Sequence, residues 1–155
     1  MKPLLLGMNN PLSDDPEFDL YPYPDGATGH RLWKLLPEGT TRAQYLAAFE
    51  RRNLVRGREW SLAQARRAAQ DLLPELAGRT VVVLGTEVRS ALDLPKVEPL
   101  SVRRTPIAGS DFMTWIAFPH PSGRNLWYNN EANRLHAMYM LERIMLGLPL
   151  VDQDG

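Results

Sequence analysis

The run Pro3-Leu4-Leu5-Leu6-Gly7-Met8, followed at once by Asn9-Asn10-Pro11, decides how the chain is read. A short apolar stretch that stops at a polar, Pro-containing segment has the pattern of a buried strand leaving the core. The same arrangement recurs far downstream, where the apolar run Met113 to Phe118 leads into His120-Pro121-Ser122-Gly123-Arg124. In an open α/β sheet, loops leaving the carboxyl ends of neighbouring strands meet at one crevice, and ligands bind there. Two Pro-stiffened loops after two such strands therefore predict a site with two jaws.

The segments between these strands alternate in character. A helix is expected from about His30 to Leu36, stopped by Pro37 and Gly39, and a second opens at the capping-box pattern Thr41-Arg42-Ala43-Gln44 and runs through Phe49. Ser61-Leu62-Ala63-Gln64 opens a longer helix to about Ala77, with Pro74 kinking or shortening its end. Thr80 to Leu84 reads as a continuous buried strand, Thr86 to Leu92 as helix and Pro99 to Ile107 as extended chain. The last helix, Asn130 to Leu146, places Leu135, Met138, Tyr139, Leu141 and Met145 near one face. This order predicts an α/β fold: a three-layer α/β/α sandwich around a short, mainly parallel sheet with right-handed crossovers. Residues 1–148 form one domain in this reading, and 149–155 a loose tail. Asn9 to Thr28 is crowded with Pro, Asp, Tyr and Gly; a loop of about 20 residues without periodicity is uncommon, and beside a strand end it is expected to be functional.

Composition narrows the classes. The chain has 155 residues, enough to bury a real core in one domain. It has no cysteine, which excludes disulfides, thiolate metal sites and iron–sulfur clusters and points to an intracellular protein. No apolar run approaches the roughly 18 residues needed to cross a membrane, and the leucine run at the start is too short for a signal peptide. The formal net charge is zero, which argues against a uniformly basic nucleic-acid surface. Lysine is confined to Lys2, Lys34 and Lys96; the other cations are Arg, whose planar fork suits phosphate oxygens. The three histidines form no convincing metal cluster in sequence.

Gly7-Met8-Asn9-Asn10-Pro11 and His120-Pro121-Ser122-Gly123-Arg124, in this order, resemble the two signature motifs of the uracil-DNA glycosylase superfamily. Gly29-His30-Arg31-Leu32-Trp33-Lys34 is similar to the segment opening the first helix in its mismatch-specific uracil/thymine branch, and Val81-Val82-Val83-Leu84-Gly85 to the strand before the last motif. The resemblance implies a monofunctional DNA glycosylase for base excision repair, hydrolysing the N-glycosidic bond of uracil or a related pyrimidine after base flipping. It implies single- or double-stranded DNA as partner, a monomer, no cofactor and no metal, in the cytoplasm or another DNA-containing compartment.

Breaking a base–deoxyribose bond leaves positive charge on the sugar and negative charge on the base, so it needs an oriented water and an oxyanion donor. In the family the first motif supplies the former; by spacing from Gly7 that residue is Asn9, by adjacency to the Pro it is Asn10, and the spacing from the strand end favours Asn9. His120 would donate a hydrogen bond to the leaving base. Pro121, Ser122 and Gly123 would form the phosphate contact, and Arg124 the wedge that fills the space of the flipped nucleotide. Tyr21 or Tyr23 would stack on the base, and Asn53, in Arg52-Asn53-Leu54-Val55, would read its edge with a donor and an acceptor. Each has a plainer alternative: a turn for the two Asn, a surface cation for Arg124, core for Trp127 and Tyr128. An enzyme of the same scaffold acting on a modified base or free nucleotide, or a binding protein, is the competing expectation.

Overall fold

The computed structural model describes residues 1–109 and 111–150. Among them, strands β1 (Leu4–Asn9), β2 (Glu50–Val55), β3 (Thr80–Leu84), β4 (Val102–Ala108) and β5 (Asp111–Phe118) form one sheet in the order β2-β1-β3-β5-β4. The pairs β1·β2, β1·β3 and β3·β5 are parallel, in registers that place Asn9 beside Val55 and Leu84 beside Phe118. The helices are α1 (Thr28–Lys34), α2 (Arg42–Ala48), α3 (Leu62–Leu72), α4 (Thr86–Ala91) and α5 (Glu131–Met145).

Successive strand side chains point to opposite faces of the sheet, and this alternation builds two cores. Leu5, Val82, Leu84, Ile116 and Phe118 face α1, α2 and α5, meeting Leu32, Tyr45 and Leu141. Leu4, Leu6, Val81, Val83 and Trp115 face α3 and α4, meeting Ala65, Ala69 and Val88. Burying a side chain of the Val, Leu or Ile type is worth about 1.5–3 kcal/mol, so both faces of β1, β3 and β5 hold the sheet between layers. The three-layer α/β/α arrangement and the mainly parallel sheet are as expected. No helix among the described residues is long and apolar enough to cross a membrane.

Locally, some expectations are met, such as the Thr41–Gln44 box and the shortening of α3 at Pro74, and others need correction. β4 joins β5 as an antiparallel hairpin; only residues 109 and 110 separate them, and a parallel crossover needs a dozen or more. Pro106 is tolerated because β4 is an edge strand. β2 carries Glu50, Arg51 and Arg52 and lacks an apolar run, as befits the opposite edge. On α5 the buried face is Ala137, Met140, Leu141 and Ile144, while Leu135 and Tyr139 are more than half exposed. Both stripes have helical spacing, and contact with the sheet selects between them. α3 ends at Leu72 and passes into a 3₁₀ turn, Leu73–Leu76, at Pro74. Thr41 and Gln44 form the full reciprocal box, whereas at α3 Ser61 accepts from the Gln64 amide. The expected tail is held at its start, where Arg143 donates to the Pro149 carbonyl (2.6 Å) and Leu150 packs on the core; 151–155 lie outside the described residues.

The segment between β1 and α1 is tied down at Leu20. That residue is buried with φ +51°, and its carbonyl accepts from the Tyr45 hydroxyl at 2.7 Å. α1 starts directly against it. A Cβ on Gly29 would lie 2.2 Å from the carbonyl oxygens of both Leu20 and Tyr21, backbone atoms that cannot swing aside. Gly29→Ala is therefore expected to lower stability by about 1–3 kcal/mol, the usual cost of overpacking, seen as a lower midpoint in urea unfolding; an unchanged midpoint would mean that the loop is not pressed on the helix.

Candidate functional site

Because β1, β2, β3 and β5 are mutually parallel, their carboxyl ends share one edge of the sheet. A cleft of about 710 Å³ opens there, and its lining includes Asn9, Asn10, Tyr21, Tyr23, Asn53 and His120. Residues from both Pro-containing loops thus meet in one place, together with the long segment and the end of β2.

The two adjacent asparagines separate in role. Asn9 donates from Nδ2 to the carbonyls of Gly57 (2.9 Å) and Arg58 (3.0 Å). Both amide hydrogens are spent on the loop after β2, so Oδ1 is the end left to accept a hydrogen bond. Asn10 uses both ends of its amide locally: Oδ1 accepts from the Leu12 amide (2.9 Å) and Nδ2 donates to the Phe18 carbonyl (3.2 Å). Asn10 is a loop former. Asn9 is the residue with a free acceptor.

His120 sits at the opposite jaw. Gly85, at the end of β3 with φ +92°, leaves room for it: a Cβ there would approach the His120 Cβ to 3.2 Å. The turn is braced through the His120 carbonyl, which accepts from the Ser122 amide and from Asn125 Nδ2, both at 2.9 Å. The Tyr128 hydroxyl donates to the Pro119 carbonyl at 2.6 Å. Asn125 is thus an unforeseen support, while Tyr128 packs against the core, as expected, and also lines the groove beside Ser122. Desolvation lowers the His120 pKa below its ordinary 6.5, partly opposed by the nearby Glu87 charge. The imidazole is therefore neutral at pH 7, and a neutral ring keeps one N–H donor. His30 differs: its Nδ1 accepts from the Gly26 amide (3.1 Å) and its Nε2 lies 3.3 Å from Asp25, so both nitrogens serve the loop. His136 is exposed on α5.

At the floor of the cleft, Asn53 pairs in the ladder with Gly7 and is 4% exposed. Its backbone N–H donates to Asp19 Oδ2 (2.9 Å) and its Nδ2 to Asp19 Oδ1 (3.3 Å), while Oδ1 is buried without a partner among the described residues. That oxygen leans over Gly7, where a Cβ would come within clashing distance of it. Asp19 is itself 1% exposed and is gripped by Arg56, whose Nη1 donates at 2.7 Å and whose Nη2 closes the second bond of the fork. The hydrogen bond to Asp19 raises the Arg56 pKa further. Nothing in the sequence reading singled out Asp19 or Arg56. Asp-Leu-Tyr and Val-Arg-Gly have no motif value, and the pair is 37 residues apart.

The aromatic wall is broader than expected. Tyr23 is 52% exposed, and the Arg42 guanidinium lies 3.9 Å from its ring centroid, covering one face. Tyr21 packs against Phe18 edge to face at 5.2 Å, and Phe18 also lines the cleft. Phe18 was missed because it sits in an acidic run, Asp14 to Asp19, that reads as solvated loop.

The rest of the second motif faces elsewhere. Pro121 and Ser122 line a neighbouring groove of about 530 Å³ with Arg31, Lys34 and Arg134. Gly123 has no side chain to block Arg31, whose Nη2 would lie 2.8 Å from a Cβ there. None of these three cations forms a salt bridge among the described residues. Arg124 is exposed and lines neither the cleft nor the groove. The zero net charge therefore conceals a local cationic strip beside the cleft.

The depressed pKa of His120 has a sign that can be checked. The unfolded chain binds the proton more readily than the folded one, so the stability linked to His120 is complete above about pH 6.5 and is lost as pH falls from there through the lower folded value. Unfolding free energies at pH 7.5 and pH 5 should therefore differ more for the native protein than for His120→Asn; equal differences would mean that the ring is as solvated as in the unfolded chain. No protein-family model matches the chain, and no curated protein matches it in sequence.

Proposed function

We propose that the chain is a DNA glycosylase of the uracil-DNA glycosylase type, releasing uracil or a related pyrimidine from DNA without cofactor or metal. The observation that carries this reading is the single cleft in which Asn9, Asn53 and His120, drawn from three strand ends, face one space beside exposed aromatic rings. Each group suits a step of base release. Asn9 Oδ1 accepts from a water and orients its oxygen toward the sugar C1′; an amide does not take the proton at neutral pH. As the C1′–N1 bond breaks, its electron pair passes to the base, and charge grows on the base carbonyl. The neutral imidazole of His120 donates to that oxygen. Water adds to C1′, and its proton ends on the departing base or in solvent. Donors aimed at developing charge in a desolvated site commonly supply the largest share of such catalysis.

The groove beside Ser122 supports a strand as the substrate. Arg31, Lys34 and Arg134 can hold phosphates next to the cleft, and contacts of that kind position a nucleic acid without reading its sequence. A flipped nucleotide then reaches the cleft at a cost of a few kcal/mol, least for a mismatched base. The size of the cleft favours one variation. About 710 Å³ lies in the range that encloses drug-sized ligands, so a bulkier modified pyrimidine also fits.

Labelled oligonucleotides carrying uracil opposite guanine, opposite adenine or unpaired, followed by alkaline cleavage of abasic sites, test the reading. Strand scission is expected, and His120→Ala should slow it by about 10²–10³, the effect of losing one oxyanion donor. A folded protein that cleaves none of these substrates would overturn uracil as the base. Arg124→Ala should reduce release from duplex more than from single strands, because only the duplex leaves a gap to fill; equal losses would make Arg124 a phosphate contact.

A further inference from the structure

The cleft floor contains an arrangement that neither motif supplies. Asn53 has two chemically opposite ends, and which end is left over for a ligand depends on what holds the other. An isolated amide can rotate by a half turn and exchange them. Here the exchange is opposed by charge. Asp19 accepts from both Asn53 N and Asn53 Nδ2. Turning the amide over would place Oδ1 against a carboxylate oxygen, acceptor against acceptor, inside a region where Asp19 is 1% exposed.

The carboxylate cannot turn away. Both of its oxygens are engaged by the Arg56 fork, Arg56 Nη2 also donates to the Asn53 carbonyl (3.0 Å), and Arg51 Nη1 donates to the Asp19 carbonyl at 2.7 Å. The outcome is an acceptor, Asn53 Oδ1, that is buried, unpartnered among the described residues and lodged over Gly7 at the base of the cleft. Leaving such a group unpaired is costly, and a ligand N–H is the partner that would relieve it.

We propose that Asp19 is a specificity-determining positioning residue: it locks the Asn53 amide with its acceptor toward the ligand, so that the cleft selects bases whose edge offers a ring N–H. The inference rests on the proposed glycosylase reading for its substrate and names the class more closely. An imide edge, carbonyl–NH–carbonyl, presents a donor to Oδ1 and an acceptor to the second hydrogen of Nδ2. The edge of cytosine presents an unprotonated ring nitrogen to the same oxygen and is repelled. Arg56 has a different part. It neutralises Asp19 and contributes to stability, while the lock itself depends on the carboxylate.

The two roles separate experimentally. Asp19→Asn is nearly isosteric, but its side-chain amide can donate to a reversed Asn53, so the lock opens. Arg56→Gln removes the ion pair and leaves the carboxylate in place. Release of uracil and of cytosine from otherwise identical single-stranded oligonucleotides should show the uracil-to-cytosine preference falling about tenfold or more in Asp19→Asn, the scale of one buried hydrogen bond. Arg56→Gln should keep the preference even where it unfolds at lower denaturant. An unchanged preference in Asp19→Asn, or equal falls in both variants, would overturn the proposal.

A second measurement uses the native protein and is independent of activity. In ¹⁵N-labelled protein, one Asn53 side-chain amide proton should exchange with solvent deuterium slowly and its partner quickly, since only one is bound to Asp19. Rapid exchange of both would overturn the lock even where Asp19→Asn fails to fold. The expected protection in a protein that releases neither base would support the lock and count against the glycosylase reading.

Discussion

The carboxylate of Asp19 is the point on which the cleft-bearing end of the sheet hangs. The segment between β1 and α1 places Leu20 in the core and, next to it, the buried Asp19. A charge taken from water has to be met by matched donors, and β2 and the residue just beyond it supply them: Asn53 from its main chain and amide and Arg56 from past the strand, while Arg51 holds the Asp19 main-chain carbonyl. Satisfying one buried anion thereby fastens a long loop across the end of the sheet. The position of Leu20, Tyr21 and Tyr23 follows from that attachment, and with it the wall of the cleft.

The opposite wall depends on backbone geometry instead of charge. Gly85 turns the chain out of β3 and lets His120 lie close, while Asn125 and Tyr128 hold the turn that follows β5 by its carbonyls. The imidazole is thereby held by its neighbours, and its ring nitrogens have no hydrogen-bond partner among the described residues. A group arranged in this way has few protein duties and is available to a ligand.

What could be read in the sequence and what could not divide along a physical line. Continuous apolar runs such as Val81 to Leu84 and the capping residues Thr41 and Gln44 are local signals, and they located β1, β3, β5 and several helices, whereas the parallel edge strand β2 has no such run. The convergence of the two Pro-containing loops was legible too, because parallel strands send their carboxyl ends to one edge. The β4–β5 hairpin, the buried stripe of α5 and the Asp19–Arg56 pair depend on contacts between distant segments, and a one-dimensional pattern does not contain them. Asn9 and Asn10 show the limit well. They are identical in chemistry and adjacent, and only their different hydrogen-bond partners separate the one with a free acceptor from the one consumed by a turn.

The close approach of Gly29 to the backbone of Leu20 and Tyr21 has a consequence for the thermodynamics of association. Helix α1, the cleft wall and Tyr45 are pinned to one another by atoms that leave no slack. The wall therefore loses little conformational freedom when a ligand arrives, and the ordering entropy of the encounter falls on the ligand. A ligand that already holds its bound conformation meets such a surface at the smallest entropic cost, so the fixed wall discriminates between preorganised and flexible ligands.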